Sequence, residues 1–176
     1  MNMFCYQCEQ AAKGRGCDYL GICQKTPETA ALQDLLIYAT KGISQYAHRA
    51  ARLGAQDRAV DLFTIEALFT TVTNVNFDPE RVAALVRKAV NVRAKAKQLY
   101  EAACGKKGIQ PETLGGSAAW LPAGDLNALI LQGREVGTEK RFEKFGKDIT
   151  GLQDLLLFGL KGMAAYADHA HILGQE

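Results

Sequence analysis

Cys5, Cys8, Cys17 and Cys23 follow one another as C-x2-C-x8-C-x5-C near the start of a 176-residue chain whose only other cysteine is Cys104. Thiolates are soft ligands, able to take zinc as a tetrahedral set or to hold the irons of an iron–sulfur cluster. A C-x2-C turn places two sulfurs on the same side of the backbone, and the longer intervals after it suffice to wrap a cluster and deliver two more. Zinc sites more often pair two short knuckles, and only the first pair here is short, so the spacing favours a cluster. A structural zinc, disulfides or free thiols stay open on spacing alone. The neighbouring residues suit a cluster. Gly14, Gly16 and Gly21 permit irregular backbone, Lys13, Arg15 and Lys25 offer positive charge to an anionic group, and Met3, Phe4, Tyr6, Tyr19, Leu20 and Ile22 are expected to exclude water.

Composition narrows the setting in which those cysteines work. With 48% hydrophobic residues the chain can bury a core, and a net charge of +2 without long single-sign runs indicates neither nucleic acid nor an anionic membrane surface as a partner. No apolar run reaches bilayer length, and Met1-Asn2-Met3-Phe4-Cys5 lacks a leader-like pattern, so a cytoplasmic location is expected. Thiols stay reduced in that compartment, which argues for ligands over disulfides. Cys104, late in a helical pattern, reads as a buried structural thiol.

The elements that must position the cysteines are helical. Residues 1–25 show no sustained periodicity and form the cluster-binding loop segment. Thr26-Pro27-Glu28 then reads as an N-cap, a first-turn proline and a dipole-favouring acid. Apolar residues from Leu32 to Leu53 repeat at helical spacing until Gly54. A second helix is expected over about Val60 to Val75, and Asp78-Pro79-Glu80 opens a third that runs to about Ala103. These make residues 26–104 a first three-helix unit. Residues 105–147 form a connecting loop, carrying Trp120, with short helices near 125–136 and 138–146. Residues 148–176 form one more long helix. The fold class is all-α: an irregular cysteine loop followed by three-helix-bundle units, the second incomplete.

That last helix duplicates the first. Leu152-Gln153-Asp154-Leu155-Leu156 repeats Leu32-Gln33-Asp34-Leu35-Leu36, and the match continues without a gap through Lys161-Gly162 against Lys41-Gly42, Tyr166-Ala167 against Tyr46-Ala47, and Leu173-Gly174 against Leu53-Gly54. Each copy is one supersecondary unit with the same face to bury. Gly42 and Gly162 sit in mid-helix at a cost of about 1 kcal/mol relative to alanine, which calls for close approach of another backbone. Because nothing follows the second copy, its apolar face is expected to lack the partners of its twin, as in the leading part of a longer protein. Asp34 with Lys41, and Asp154 with Lys161, are expected to form a solvated stripe or to touch another helix rather than to pair directly. His48, His169 and His171 read as ordinary helix residues, since i, i+2 spacing is poor for chelation.

Several of these segments together resemble a known family. Met3-Phe4-Cys5-Tyr6-Gln7-Cys8-Glu9-Gln10, the glycine contexts of Cys17 and Cys23, Glu28-Thr29 to Leu36, Thr73-Asn74-Val75-Asn76-Phe77-Asp78 and Leu160-Lys161-Gly162 to Gly174 are similar to the N-terminal part of the hybrid cluster proteins, or hydroxylamine reductases. The cysteine spacing is the shorter of two in that family, the one that goes with a [4Fe–4S] cubane rather than a [2Fe–2S] cluster. The resemblance implies that Cys5, Cys8, Cys17 and Cys23 hold the near-surface cluster through which electrons enter. They then pass to a hybrid iron–sulfur–oxygen cluster, where hydroxylamine is reduced to ammonia and water. Reduction of nitric oxide and protein S-nitrosylation are also attributed to the family. The ligands of the hybrid cluster belong to parts of the family chain beyond residue 176, so no catalytic residue is carried onto this sequence. Expected partners are the remainder of the same polypeptide or a catalytic chain, an electron donor protein, and, as a homo-oligomer, a second copy covering the last helix. A zinc-stabilised helical binding module and a stand-alone ferredoxin-like carrier are the alternatives.

Overall fold

A computed structural model describes residues 3–175; Met1, Asn2 and Glu176, which belong to the outer segments delimited above, lie outside the described residues. The described chain is helical. An irregular N-terminal segment leads into α1 (Pro27–Arg52), α2 (Arg58–Thr70), α3 (Pro79–Lys107), α4 (Leu126–Val136), α5 (Thr138–Phe145) and α6 (Lys147–Ile172). None of the helices is long and apolar enough to cross a membrane.

Each long helix starts where a capping side chain allows it. Thr26 accepts from the Thr29 amide, Asp57 from Ala59 and Val60, and Asp78 from Glu80 and Arg81, with prolines in the first turns of α1 and α3. The Asp57 cap starts α2 just before the expected position, and α2 stops at Thr70 instead of reaching Val75. The Thr71 hydroxyl turns back to the Leu68 carbonyl, and Asn74 takes a positive φ that a helix cannot accommodate. α3 runs one turn beyond Ala103, through Gly105 to Lys107, and is closed by the left-handed Gly108.

The core is built on α1, which packs chiefly against α3 and then against α4, while α6 packs against α2 and α5. Leu32, Leu35, Leu36, Ile43 and Ala50 of α1 are fully buried with Val60, Val82, Val86 and Leu129, and Cys104 sits in the same core. Mid-helix Gly42 has the expected reason: a β-carbon there would collide with the Ser117 carbonyl oxygen in the loop before α4. Its twin Gly162 has nothing within 4 Å of the same point. The two faces differ just as much. Leu152, Leu155 and Leu156 are 67–70% exposed, where Leu32, Leu35 and Leu36 are 0% exposed. The duplicated sequence is thus buried once and left uncovered once.

Candidate functional site

The cysteine segment is held by backbone pairing, not by a helix. The amide of Cys5 donates to the Cys17 carbonyl (3.0 Å) and that of Cys17 to the Cys5 carbonyl (2.8 Å), an antiparallel bridge that draws the first and third cysteines together. A turn through Lys13 and Gly14, both at positive φ, lets the chain double back between them. At Gly16 a β-carbon would run into the Phe4 ring, and at Gly21 it would lie 3.0 Å from the Cys23 sulfur. Met3, Cys17 and Ala30 form a small buried cluster of their own, against which Cys5 and Ala12 pack.

The structure brings the four sequence-predicted residues together: Cys5, Cys8, Cys17 and Cys23 line one small pocket, with Met3, Gly21, Lys25 and Thr73 among its other walls. All five cysteines of the chain are free thiols. Among the described residues no group of three or more His, Cys, Asp or Glu side chains is gathered closely enough to hold a single metal ion. Lys25 is buried, and its ammonium lies 3.9 Å from the Cys5 sulfur, so of the three expected cations this one faces the site while Lys13 and Arg15 are exposed. Met3 shields the pocket as expected. Tyr19 and Leu20 are exposed and do not line it, whereas Ile22, though 55% exposed, is one of its walls.

Around this pocket lies machinery that the cysteine pattern alone does not reveal. Tyr6 and Gln7, the residues between the first two cysteines, reach into the protein. The Tyr6 hydroxyl donates to Asp154 Oδ2 (2.6 Å), and Asp154 is also paired with Arg141 of α5 (2.6 Å). Gln7 accepts from the Lys161 ammonium at Oε1 (2.8 Å), and both Lys161 and Gln7 donate to the Thr71 carbonyl (3.2 and 3.3 Å). That carbonyl is available because α2 ends there. Phe4, Tyr6, Phe142 and Phe158 stack around the same point, with ring centroids 5.3–6.2 Å apart. Asp154 and Lys161 are both buried, so they are no solvated stripe; they do touch other elements, as the alternative reading held. The one signal in the sequence was their repetition at Asp34 and Lys41.

A cleft of about 740 Å³ between α1, α5, α6 and the cysteine segment gathers these charges with Lys25, Asp34 and Lys41. Burial pushes the Asp34 carboxyl up to about 6, against the pull of Lys161, Arg141 and Lys25, and burial lowers the Lys161 ammonium to about 8. Burial, together with the hydrogen bond to Asp154, raises the Tyr6 hydroxyl well above its usual range, which keeps it protonated as a donor. His169 lies edge-on to Phe69 at 5.4 Å, and His48 is exposed. Neither is part of the site.

Residues 3–176 match the family model described as Prismane/CO dehydrogenase. The chain belongs to the Prismane/CO dehydrogenase family. Proteins of this family carry iron–sulfur clusters. Within the family, the chain is 52% identical over 178 residues to a hydroxylamine reductase of Geobacter sulfurreducens, covering 100% of this chain and 32% of the relative. It is 53% identical over 173 residues to one of Rhodospirillum rubrum (98% and 32%) and 50% identical over 174 residues to one of Methanocella arvoryzae (99% and 31%). The chain therefore spans about a third of the length of these relatives, matching their N-terminal part.

Proposed function

We propose that Cys5, Cys8, Cys17 and Cys23 hold a [4Fe–4S] cluster and that this chain is the electron-entry portion of a hydroxylamine-reducing enzyme. The observation that carries the reading is the arrangement of the sulfurs. Four cysteines spaced C-x2-C-x8-C-x5-C line one pocket beside the buried Lys25 ammonium. A lone zinc needs its ligands around one centre at about 2.3 Å, whereas a cubane spreads them over separate irons. The irregular backbone and the buried to half-buried setting of the four sulfurs suit that demand. When bound, such a cluster supplies one-electron transfer.

The chain's own residues bind and shield. Cluster ligands are thiolates, and the buried Lys25 ammonium, 3.9 Å from the Cys5 sulfur, sets a positive charge beside the site of that anionic group. Met3 and Ala30 close the pocket toward α1 and limit water. No side chain here is assigned to N–O bond cleavage. The reduction of hydroxylamine, for which the relatives are named, is proposed for the polypeptide that contains this segment together with the remaining two-thirds of the relatives' length, with ammonia and water as the products the resemblance implies. The uncovered face of α6 supports the same assignment. Its duplicate in α1 is buried under α3, so the expected occupant of the α6 face is an equivalent helix from that remainder.

Anaerobic purification with iron, acid-labile sulfide and zinc analysis, followed by an electron paramagnetic resonance spectrum of the reduced protein, tests the assignment. About four irons and four sulfides per chain are expected for a cubane. Zinc without sulfide would overturn it.

A further inference from the structure

The two residues enclosed by Cys5 and Cys8 are tied to the second copy of the repeat by charged groups that no exposed loop needs. Asp154 and Lys161 are buried on α6, one accepting from the Tyr6 hydroxyl at 2.6 Å, the other donating to Gln7 Oε1 at 2.8 Å. Burying an ammonium and a carboxylate is costly unless each is paired and hydrogen-bonded. Here each is: Asp154 by Arg141, and Lys161 by Gln7 and the Thr71 carbonyl. The twin pair makes the contrast. Lys41, aligned with Lys161, is exposed, and Asp34, aligned with Asp154, keeps partial solvent access. Only the α6 copy grips the cysteine segment.

We infer that Asp154 and Lys161 are positioning residues for the Cys5–Cys8 turn, fixing the directions of its two sulfurs through Tyr6 and Gln7. The inference rests on the proposal that these cysteines hold a cluster. Ligands of a metal centre are routinely oriented by hydrogen bonds one shell out, and losing such a partner typically weakens metal retention by about 10–100-fold. In this chain the partners act through the peptide between two ligands, not on the ligands. Tyr6 is further locked by Phe142 and Phe158, so the turn is wedged between α5 and α6 on one side and the end of α2 on the other. The geometry makes the cysteine pocket depend on the docking of α6 and not on its own loop alone.

The test uses anaerobically purified, cluster-loaded protein and reads iron release to a chelator together with the paramagnetic resonance line shape of the reduced state. Lys161→Met is expected to release iron at least about tenfold faster than the parent and to change the line shape, at unchanged helical circular dichroism. The twin change, Lys41→Met, is expected to alter neither. Tyr6→Phe, which removes one hydroxyl and keeps the ring, gives a second reading should Lys161→Met fail to fold. Its expected effect is in the same direction and smaller. Combining Lys161→Met with Gln7→Leu is expected to fall short of the product of the two single effects, because the changes share the Lys161–Gln7 contact while each also removes its own bond to the Thr71 carbonyl. Parental release rates and line shapes in Lys161→Met and Tyr6→Phe, or multiplicative effects in the double variant, would overturn the inference while leaving the cluster assignment intact. A parent protein holding zinc and no sulfide removes both, and does so before any variant is compared.

Discussion

Replacing Gly42 by alanine puts a β-carbon where the Ser117 carbonyl group now sits, with the carbonyl carbon at 2.7 Å and the Ala118 nitrogen at 3.2 Å. The neighbour is backbone, so it cannot swing aside as a side chain would. That carbonyl also accepts from the buried Arg93 guanidinium (3.0 Å), and the Ser117 hydroxyl accepts from Gln45 (2.9 Å). Moving the loop to admit a methyl group therefore costs about 1–3 kcal/mol of overpacking and weakens a charge-assisted hydrogen bond worth about 1.5–3 kcal/mol. Alanine returns about 1 kcal/mol of helix propensity. The net expectation for Gly42→Ala is a loss of about 2–4 kcal/mol, a drop of about 1–2 M in the urea midpoint at a typical slope for a domain of this size. Gly162→Ala changes the same residue in the same repeat but meets nothing within 4 Å. Only the propensity gain remains, so its midpoint is expected to rise by a few tenths molar. Urea titrations of the two variants beside the parent, followed by far-ultraviolet circular dichroism, measure both. A Gly42→Ala midpoint at or above the parent's would refute the close-approach reasoning, and a large loss in Gly162→Ala would show that the second face is already covered in solution.

The leucines of the repeat make a parallel pair: Leu35→Ala, fully buried, is expected to cost about 2–5 kcal/mol, and Leu155→Ala, 70% exposed, less than about 0.5 kcal/mol, both read by the same titration. Cys17→Ser is expected to abolish iron and sulfide binding while most helix content survives, since the core around α1 and α3 does not include the cysteine segment; global unfolding by circular dichroism would contradict this. Asp34 gives a pH signature. Its carboxyl is raised from the ordinary 3.8 to about 6 in the fold, so the folded state holds the proton more tightly. The stability this contributes is full below pH 3.8 and is lost as pH rises through about 6. Asp34→Asn is therefore expected to gain on the parent between about pH 4 and 6 and to hold that gain above pH 7. A stability difference that stays flat across that range would rule out a half-buried, charge-coupled Asp34 facing Lys161, Arg141 and Lys25.

Local chemistry in the sequence was enough for the helix starts and for the gathering of four cysteines at one pocket. Thr26-Pro27 and Asp78-Pro79 announced two helix starts because capping and proline geometry act within a few residues. The cysteine spacing announced a shared pocket because residues within one short segment can reach a common point. The repeat announced a shared buried face, and Gly42 within it announced a close backbone contact. The sequence also placed the uncovered face on the second copy; what it could not supply was what the charged positions of each copy would hold. Asp154 and Lys161 carry the same letters as Asp34 and Lys41 and line the same cleft, yet only the first pair is buried and bonded to Tyr6, Gln7, Arg141 and Thr71. The difference arises from contacts between segments up to 154 positions apart, such as that of Lys161 with Gln7. It depends on where α2 ends and frees a carbonyl, and on α5 bringing an arginine to α6. Burial, pairing and the resulting shifts in proton affinity belong to a three-dimensional neighbourhood, so identical residues acquire different work only once the chain has folded around them.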